Sequence, residues 1–361
     1  MSDRPAVRDD LALMAGYHSP QVEVDVRLNT NEAPEQPPRE FRDRLAAAIE
    51  DVDWHRYPDR GATALRERIG ALDGFATEQV FVANGSNEVL QSLCLAYGGA
   101  GRTALTFEPT YALHAHIARV CGTRVVEGDR NEDFSLDLDA VVARITAERP
   151  VLTFLCSPNN PTGMVEPPEA VRRVLDAVRR AGGLLVVDEA YGQFAPWSAL
   201  GLVDEDTPLV VTRTFSKTWS MAAARLGYLV GPTWVVEDLD KVVLPYHLDA
   251  AKQLAGLIAL DYVADMERRV ATLVEERGRV AAALGDLGVE QWPSGANFIL
   301  FRVPGRSGDD VWQGLLDRSV LVRNCASWPR LEDCLRVTLG TRDEDDRFLG
   351  ALAETIGGPI P

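Results

Sequence analysis

The sequence predicts an α/β protein: a large domain built on a mainly parallel central sheet, then a smaller α+β domain. Three observations lead there. Short apolar runs alternate with helical patterns from about residue 80 to about residue 231, the pattern of parallel strands joined by helices. Residues 235–284 are largely helical. From about residue 289 the pattern changes to short strands and helices, with VEQWPSGANFILFRV, VLVRN and LRVTLG. The expected division is an arm over 1–40 that joins the small domain and the substrate pocket, a large domain over 41–270 and a small domain over 271–361.

With 361 residues, 46% of them hydrophobic, the chain has material for two cores. A net charge of -17 argues against nucleic acid and anionic membrane as partners, yet a site within an acidic protein can be locally basic. The five cysteines form no CxxC pair, which fits reduced thiols in a cytoplasmic protein. The charged start MSDRPAVRDD has no apolar segment of the signal-peptide kind, and no run of about 18 apolar residues exists to span a membrane.

In order, the arm mixes polar and apolar residues without a period and is broken by prolines, so it reads as irregular. It holds Tyr17 in GYHSP and the run LNTNEAP. A helix is expected over 41–50. Tyr57-Pro58-Asp59 is a turn, and Leu65, Ile69 and Leu72 then share one helix face. The strand QVFVANG ends at Gly85, and Ser86 or Asn87 is expected to cap the next helix. The first N–H groups of that helix can face an anion. RTALTFEPTYALHAH reads as strand, turn and helix, with Tyr111 at the helix start. His114 and His116 complete no metal pattern and are read as structural. VLTFLC runs into a turn carrying Asn159 and Asn160, a helix covers 169–181, and LLVVDEAYGQF is a buried strand ending in Asp188, with Tyr191 beyond. LVVTRTFSK and LGYLVG are further strands. Most of these polar residues fall at carboxyl ends of strands, the edge where such sheets bind ligands.

The stretch TRTFSKTWSMAAARLGY places Lys217 between Ser216 and Thr218, with Thr214 before it and Arg225 after. Thr214, Ser216 and Arg225 can donate to a phosphate, and a lysine forms a Schiff base with an aldehyde. An aldehyde that carries a phosphate is pyridoxal 5'-phosphate. That cofactor needs a lysine, a carboxylate at its pyridinium nitrogen, donors at its phenolate oxygen and phosphate, and a ring over its face. The candidates are Lys217; Asp188; Asn160 with Tyr191; Ser86, Asn87, Thr214, Ser216 and Arg225; and Tyr111. Arg323 and Arg336 each sit in an apolar strand and could clamp an acid group.

SPNNPTG, VVDEAY and TFSKTWSMAAARLGY, in this order and spacing, resemble the fold-type I, class I/II aminotransferases. LNTNEAP, RYPD, NGSNE, PTY, VLVR and LRVTLG make the chain most similar to the histidinol-phosphate aminotransferases among them, from about Tyr17 to Gly340. The resemblance implies that Lys217 carries the cofactor and moves a proton between the substrate α-carbon and the cofactor. It implies that Asp188 meets the pyridine nitrogen, Asn160 and Tyr191 the phenolate, and Tyr111 the ring face. Gly85, Ser86, Asn87, Thr214, Ser216 and Arg225 would hold the phosphate. Tyr57 would reach the cofactor of a neighbouring subunit in a homodimer. Tyr17, Arg323 and Arg336 would read the acid end of the substrate, and Asn31 and Glu32 would line its pocket. The implied reaction passes an amino group from the donor to 2-oxoglutarate, giving glutamate, by double displacement.

Departures from the family pattern bear on the substrate. The usual NENP reads Asn31-Glu32-Ala33-Pro34, TWSMAAA after Lys217 is bulkier than usual, and NCASWP brings in Trp328. An aminotransferase of the same family acting on an aromatic amino acid or a specialised biosynthetic intermediate is the alternative. A pyridoxal-phosphate-dependent decarboxylase or lyase is a more distant one. A regulator built on this domain would carry a basic winged-helix module ahead of it, and residues 1–40 lack one.

Overall fold

The computed structural model describes residues 5–12, 14, 16 and 22–357; Tyr17 lies outside the described residues. The chain begins with β1 (Val26–Leu28), α1 (Arg39–Glu50), α2 (Thr63–Asp73), β2 (Val80–Ala83), α3 (Ser86–Tyr97), β3 (Thr103–Glu108) and α4 (Leu113–Val120). It continues through β4 (Arg124–Asp129), α5 (Leu138–Glu148), β5 (Leu152–Cys156), α6 (Pro168–Ala181), β6 (Leu184–Asp188), β7 (Leu209–Thr214) and β8 (Gly227–Val230). Then come α7 (Thr233–Val242), α8 (Ala250–Ala259), α9 (Val263–Asp286), β9 (Glu290–Gln291), β10 (Phe298–Arg302), α10 (Gly308–Leu316), β11 (Val320–Asn324), β12 (Leu335–Thr338) and α11 (Arg342–Ile356).

The larger sheet has the order β2-β8-β7-β6-β5-β3-β4. The run from β4 to β7 is parallel, and β8 is antiparallel to both β7 and β2. Every residue of β6 is buried, which is why the strand can be apolar on both faces. Its side chains alternate: Leu184 and Val186 join the core under α3 and α7, and Leu185 and Val187 the core under α5 and α6. β4 lies on one side of β3 and β5 on the other, so the order of the sheet reverses there, the kind of crevice where open α/β sheets bind ligands.

The smaller sheet has the order β1-β11-β12-β10-β9. It packs against α9 and α11 through Leu273, Val280, Phe298, Phe301 and Phe348. The arm is not wholly irregular: Val26 and Leu28 point inward, Arg27 outward, and the strand pairs in parallel with β11. Three residues are too few for a period to show. α11 also went unanticipated, although Thr341 and Glu344 form a reciprocal capping box at its start.

The start of α3 differs from expectation. Gly85, not Ser86 or Asn87, holds the capping position, with φ 80° and no side-chain cap. A β-carbon on Gly85 would lie 2.8 Å from Arg225 Nη2, and one on Gly227 would lie 2.3 Å from the Ser86 nitrogen. The chain crosses itself there too closely for side chains. Gly227→Ala should therefore displace the first turn of α3 and lower stability by about 1–3 kcal/mol; an unchanged denaturant midpoint would contradict this packing account.

Candidate active site

A cavity of about 300 Å³ opens at the carboxyl edge of the larger sheet, and the arm and β11–β12 close its far side. Asp188 ends β6 and Lys217 follows β7. Asn160 follows β5, Tyr111 follows β3, and Ser86 and Asn87 open α3. The cavity brings these together with Tyr191, Thr214, Ser216, Arg225, Asn31, Glu32, Arg323 and Arg336. Gly85 lies just behind, against Arg225. Tyr57 is not among the lining residues; it is 79% exposed and stacks on Tyr246 with ring centroids 4.4 Å apart.

Asp188 is buried and accepts three hydrogen bonds. Thr212 Oγ1 donates at 3.0 Å and the Ala190 N–H at 3.1 Å, both to Oδ1. His114 Nε2 lies 2.9 Å from Oδ2. A carboxylate only accepts, so Nε2 carries the hydrogen. The His114 ring is fully buried, stacked on Phe154 and edge-on to Tyr111. Its Nδ1 has no hydrogen-bond partner among the described residues, so a second ring proton there would go unpaired. The sequence reads His114 as structural, and the structure instead sets its ring against the Asp188 carboxylate.

Lys217 Nζ donates to the Thr30 carbonyl at 3.0 Å. Burial, helped by Arg336 and Arg225 and opposed by Glu32, lowers its ammonium from 10.5 to about 7. The chain has three lysines. Lys241 is paired with Asp238 and Lys252 with Asn84 and Asp249, so Lys217 alone lines this cavity.

The opposite end is a cup of donors. Thr214 Oγ1 donates to Ser216 Oγ at 3.0 Å, and Arg225 Nη1 donates to the same oxygen at 3.2 Å. The N-terminus of α3 adds backbone N–H groups and a favourable dipole. Asn31 Nδ2 donates to Tyr191 Oη at 2.8 Å, which leaves the phenol hydrogen to give. Burial pushes the Tyr191 phenol up to about 12, so it remains a donor at neutral pH. Arg336 donates to Asn160 Oδ1 and, at 2.9 Å, to the Asn29 carbonyl. The Asn160 carbonyl oxygen is thus engaged and its amide N–H₂ can serve a ligand. Tyr111 donates to Asn87 Oδ1 at 3.1 Å, holding its ring over the cavity. On the far wall, Arg323 stacks 5.5 Å from the Trp328 ring centroid. A partly buried amine, a fixed carboxylate, a phenol, an amide and an anion cup form a donor set that fits pyridoxal 5'-phosphate.

The model of the family described as aminotransferase class I and II matches residues 23–352. The chain belongs to that family. A histidinol-phosphate aminotransferase of Frankia casuarinae is 44% identical, covering 99% of this chain and 92% of its own length. One from Mycolicibacterium smegmatis is 43% identical, covering 99% and 95%. The fold matches a histidinol-phosphate aminotransferase of Sinorhizobium meliloti solved with pyridoxal-5'-phosphate, with TM-score 0.84, 24% identity and coverage of 92% and 91%. An L-threonine-O-3-phosphate decarboxylase of Porphyromonas gingivalis shares the fold as well, with TM-score 0.79, 21% identity and coverage of 92% and 99%. The fold therefore does not choose the reaction.

The state of Lys217 gives a pH test. The neutral amine attacks an aldehyde, so capture of pyridoxal phosphate by cofactor-free aminotransferase should speed up as pH rises through about 7, then level off. A rate that kept climbing toward 10.5 would show that the amine is not depressed.

Proposed function

We propose that this aminotransferase transfers the amino group of histidinol phosphate to 2-oxoglutarate, using pyridoxal 5'-phosphate, as a cytoplasmic homodimer. The observation that carries the reading is one cavity lined by an amine of lowered basicity, a carboxylate fixed by three donors, and the arginines Arg323 and Arg336. Relatives 43–44% identical over 98–99% of the chain bear the name of that reaction.

When bound, the cofactor supplies an aldehyde for the amine and a ring that accepts the electron pair left as the substrate Cα–H bond breaks. Lys217 Nζ would take the α-proton from the substrate and hold it for return. A lysine near pH 7 suits both directions of that transfer. Asp188 would meet the ring nitrogen, and His114 fixes the orientation of its carboxylate. Tyr191 and Asn160 would donate to the phenolate oxygen. Gly85, Ser86, Asn87, Thr214, Ser216 and Arg225 would hold the phosphate. Arg323 and Arg336 take the acid end of each substrate in turn, phosphate in one half-reaction and carboxylate in the other. Tyr17 would join them, while Asn31 and Glu32 shape the mouth.

Trp328 beside Arg323 supports a wall for a flat ring, which an imidazole satisfies and an aromatic amino acid satisfies too. A single-turnover absorbance screen separates them. Histidinol phosphate should convert the cofactor to its amine form and 2-oxoglutarate should restore it. Conversion by an aromatic amino acid alone would move the function to that substrate. Lys217→Ala should lower turnover by at least about 10²-fold, the low end for removing a positioned acid–base group.

Trp54, Tyr57, Leu244 and Tyr246 are exposed, and Tyr57 stacks on Tyr246; a second subunit over them would bring Tyr57 to the partner's cofactor phosphate. Sedimentation should give a dimer, and Tyr57→Phe should weaken cofactor retention. A fully active monomer would refute the shared site. The cysteines form no disulfide, which supports a reducing compartment. No described helix is long and apolar enough to cross a membrane.

A further inference from the structure

Of the two neighbouring amides in the turn after β5, Asn160 lines the cavity and Asn159 does not. Asn159 is fully buried. Its backbone closes its own turn: the N–H donates to the Met164 carbonyl at 2.7 Å, and the carbonyl accepts from the Gly163 N–H at 2.7 Å. Its side chain reaches further. Oδ1 accepts from Thr110 Oγ1 at 2.7 Å. Nδ2 donates to the Pro109 carbonyl at 3.0 Å and to Thr162 Oγ1 at 2.8 Å. Thr110 and Pro109 belong to the turn after β3, so this one amide ties the two turns together.

Each end of that tie adjoins a residue of the cavity. Thr110 precedes Tyr111, whose hydroxyl donates to Asn87. Asn159 precedes Asn160, whose oxygen accepts from Arg336. The β3–β5 ladder pairs Ala104 with Leu152 and Leu105 with Thr153, in the amino-terminal part of both strands. Toward the cavity it is the Asn159 side chain, rather than this ladder, that links the two turns.

We infer that Asn159 is a positioning residue, whose amide fixes the separation between the Tyr111 ring and the Asn160 amide. The inference rests on the proposed reading of the cavity, in which Tyr111 would cover the cofactor ring and Asn160 would donate to its phenolate oxygen. The task needs an asparagine. Its planar amide accepts at one corner and donates twice at the other. An aspartate would have no hydrogen for the Pro109 carbonyl. An alanine would leave that carbonyl and the Thr110 hydroxyl, both buried, without this partner.

The test titrates the visible band of the cofactor-loaded protein against pH and records the circular dichroism of that band. A donor to the phenolate oxygen favours the form that has lost the proton shared with that oxygen, so a loosened donor moves the midpoint to higher pH. Asn160→Ala sets the direction. Thr110→Val removes one hydroxyl and keeps the shape; it should raise the midpoint by about half a pH unit and weaken the dichroism, as Tyr111 loses its fixed place over the ring. Asn159→Ala breaks all three bonds and should move both readouts further; Thr110→Val keeps the test independent of whether that variant folds. Thr153→Val is the control. It removes a fully buried hydroxyl that has no hydrogen-bond partner among the described residues, and both readouts should stay at wild-type values. Either readout at its wild-type value in Thr110→Val, whatever the change in melting temperature, would overturn the inference. A midpoint unmoved by Asn160→Ala would instead overturn the role read for Asn160, and the inference with it.

Discussion

A carboxylate buried at the end of a central strand organises this site. Asp188 would be costly to bury alone. Thr212 from the next strand, the Ala190 N–H and the His114 ring together satisfy it. Each of these donors depends on a different part of the fold: the parallel register of β6 with β7, the turn after β6, and the first turn of α4. The carboxylate is thereby aimed before any ligand arrives, which avoids reorganisation at the moment of reaction. Loss of any one donor would leave the buried charge underpaired.

Around that fixed anion the cavity collects cations, and Lys217 bears the consequence. Arg225 and Arg336 share its space, and burial removes its hydration, so its proton is held weakly. A lysine on the surface would stay an ammonium at neutral pH and be of little use to an aldehyde. The close crossing of Gly85 and Gly227 sets the anion cup at the other end. Cup, carboxylate and Lys217 all line the one cavity.

Much of this was legible in the sequence because the large domain writes its strands as short apolar runs and its chemistry at their ends. Asp188, Asn160 and Lys217 were found that way, and the cavity gathers all three. His114 was not, because a histidine inside an amphipathic helix looks the same whether it packs or holds a carboxylate; only the spatial meeting of α4 with β6 distinguishes them. β1 was hidden by its length, and its pairing with β11 depends on residues nearly 300 positions away, about 294 by the Val26–Val320 register. The Gly85 cap was missed because local propensity favoured Ser86 and Asn87, whereas the steric demand comes from Arg225 and Gly227.

The central claim is that Lys217 receives the cofactor aldehyde while Asp188 and the anion cup hold its two ends. Borohydride reduction of the cofactor-loaded protein, followed by peptide mapping, tests it most directly. The chain offers three lysines, so the assignment is unambiguous. The account predicts a pyridoxyl group on Lys217, with Lys241 and Lys252 unmodified. A label on Lys241 or Lys252 with Lys217 bare would contradict it.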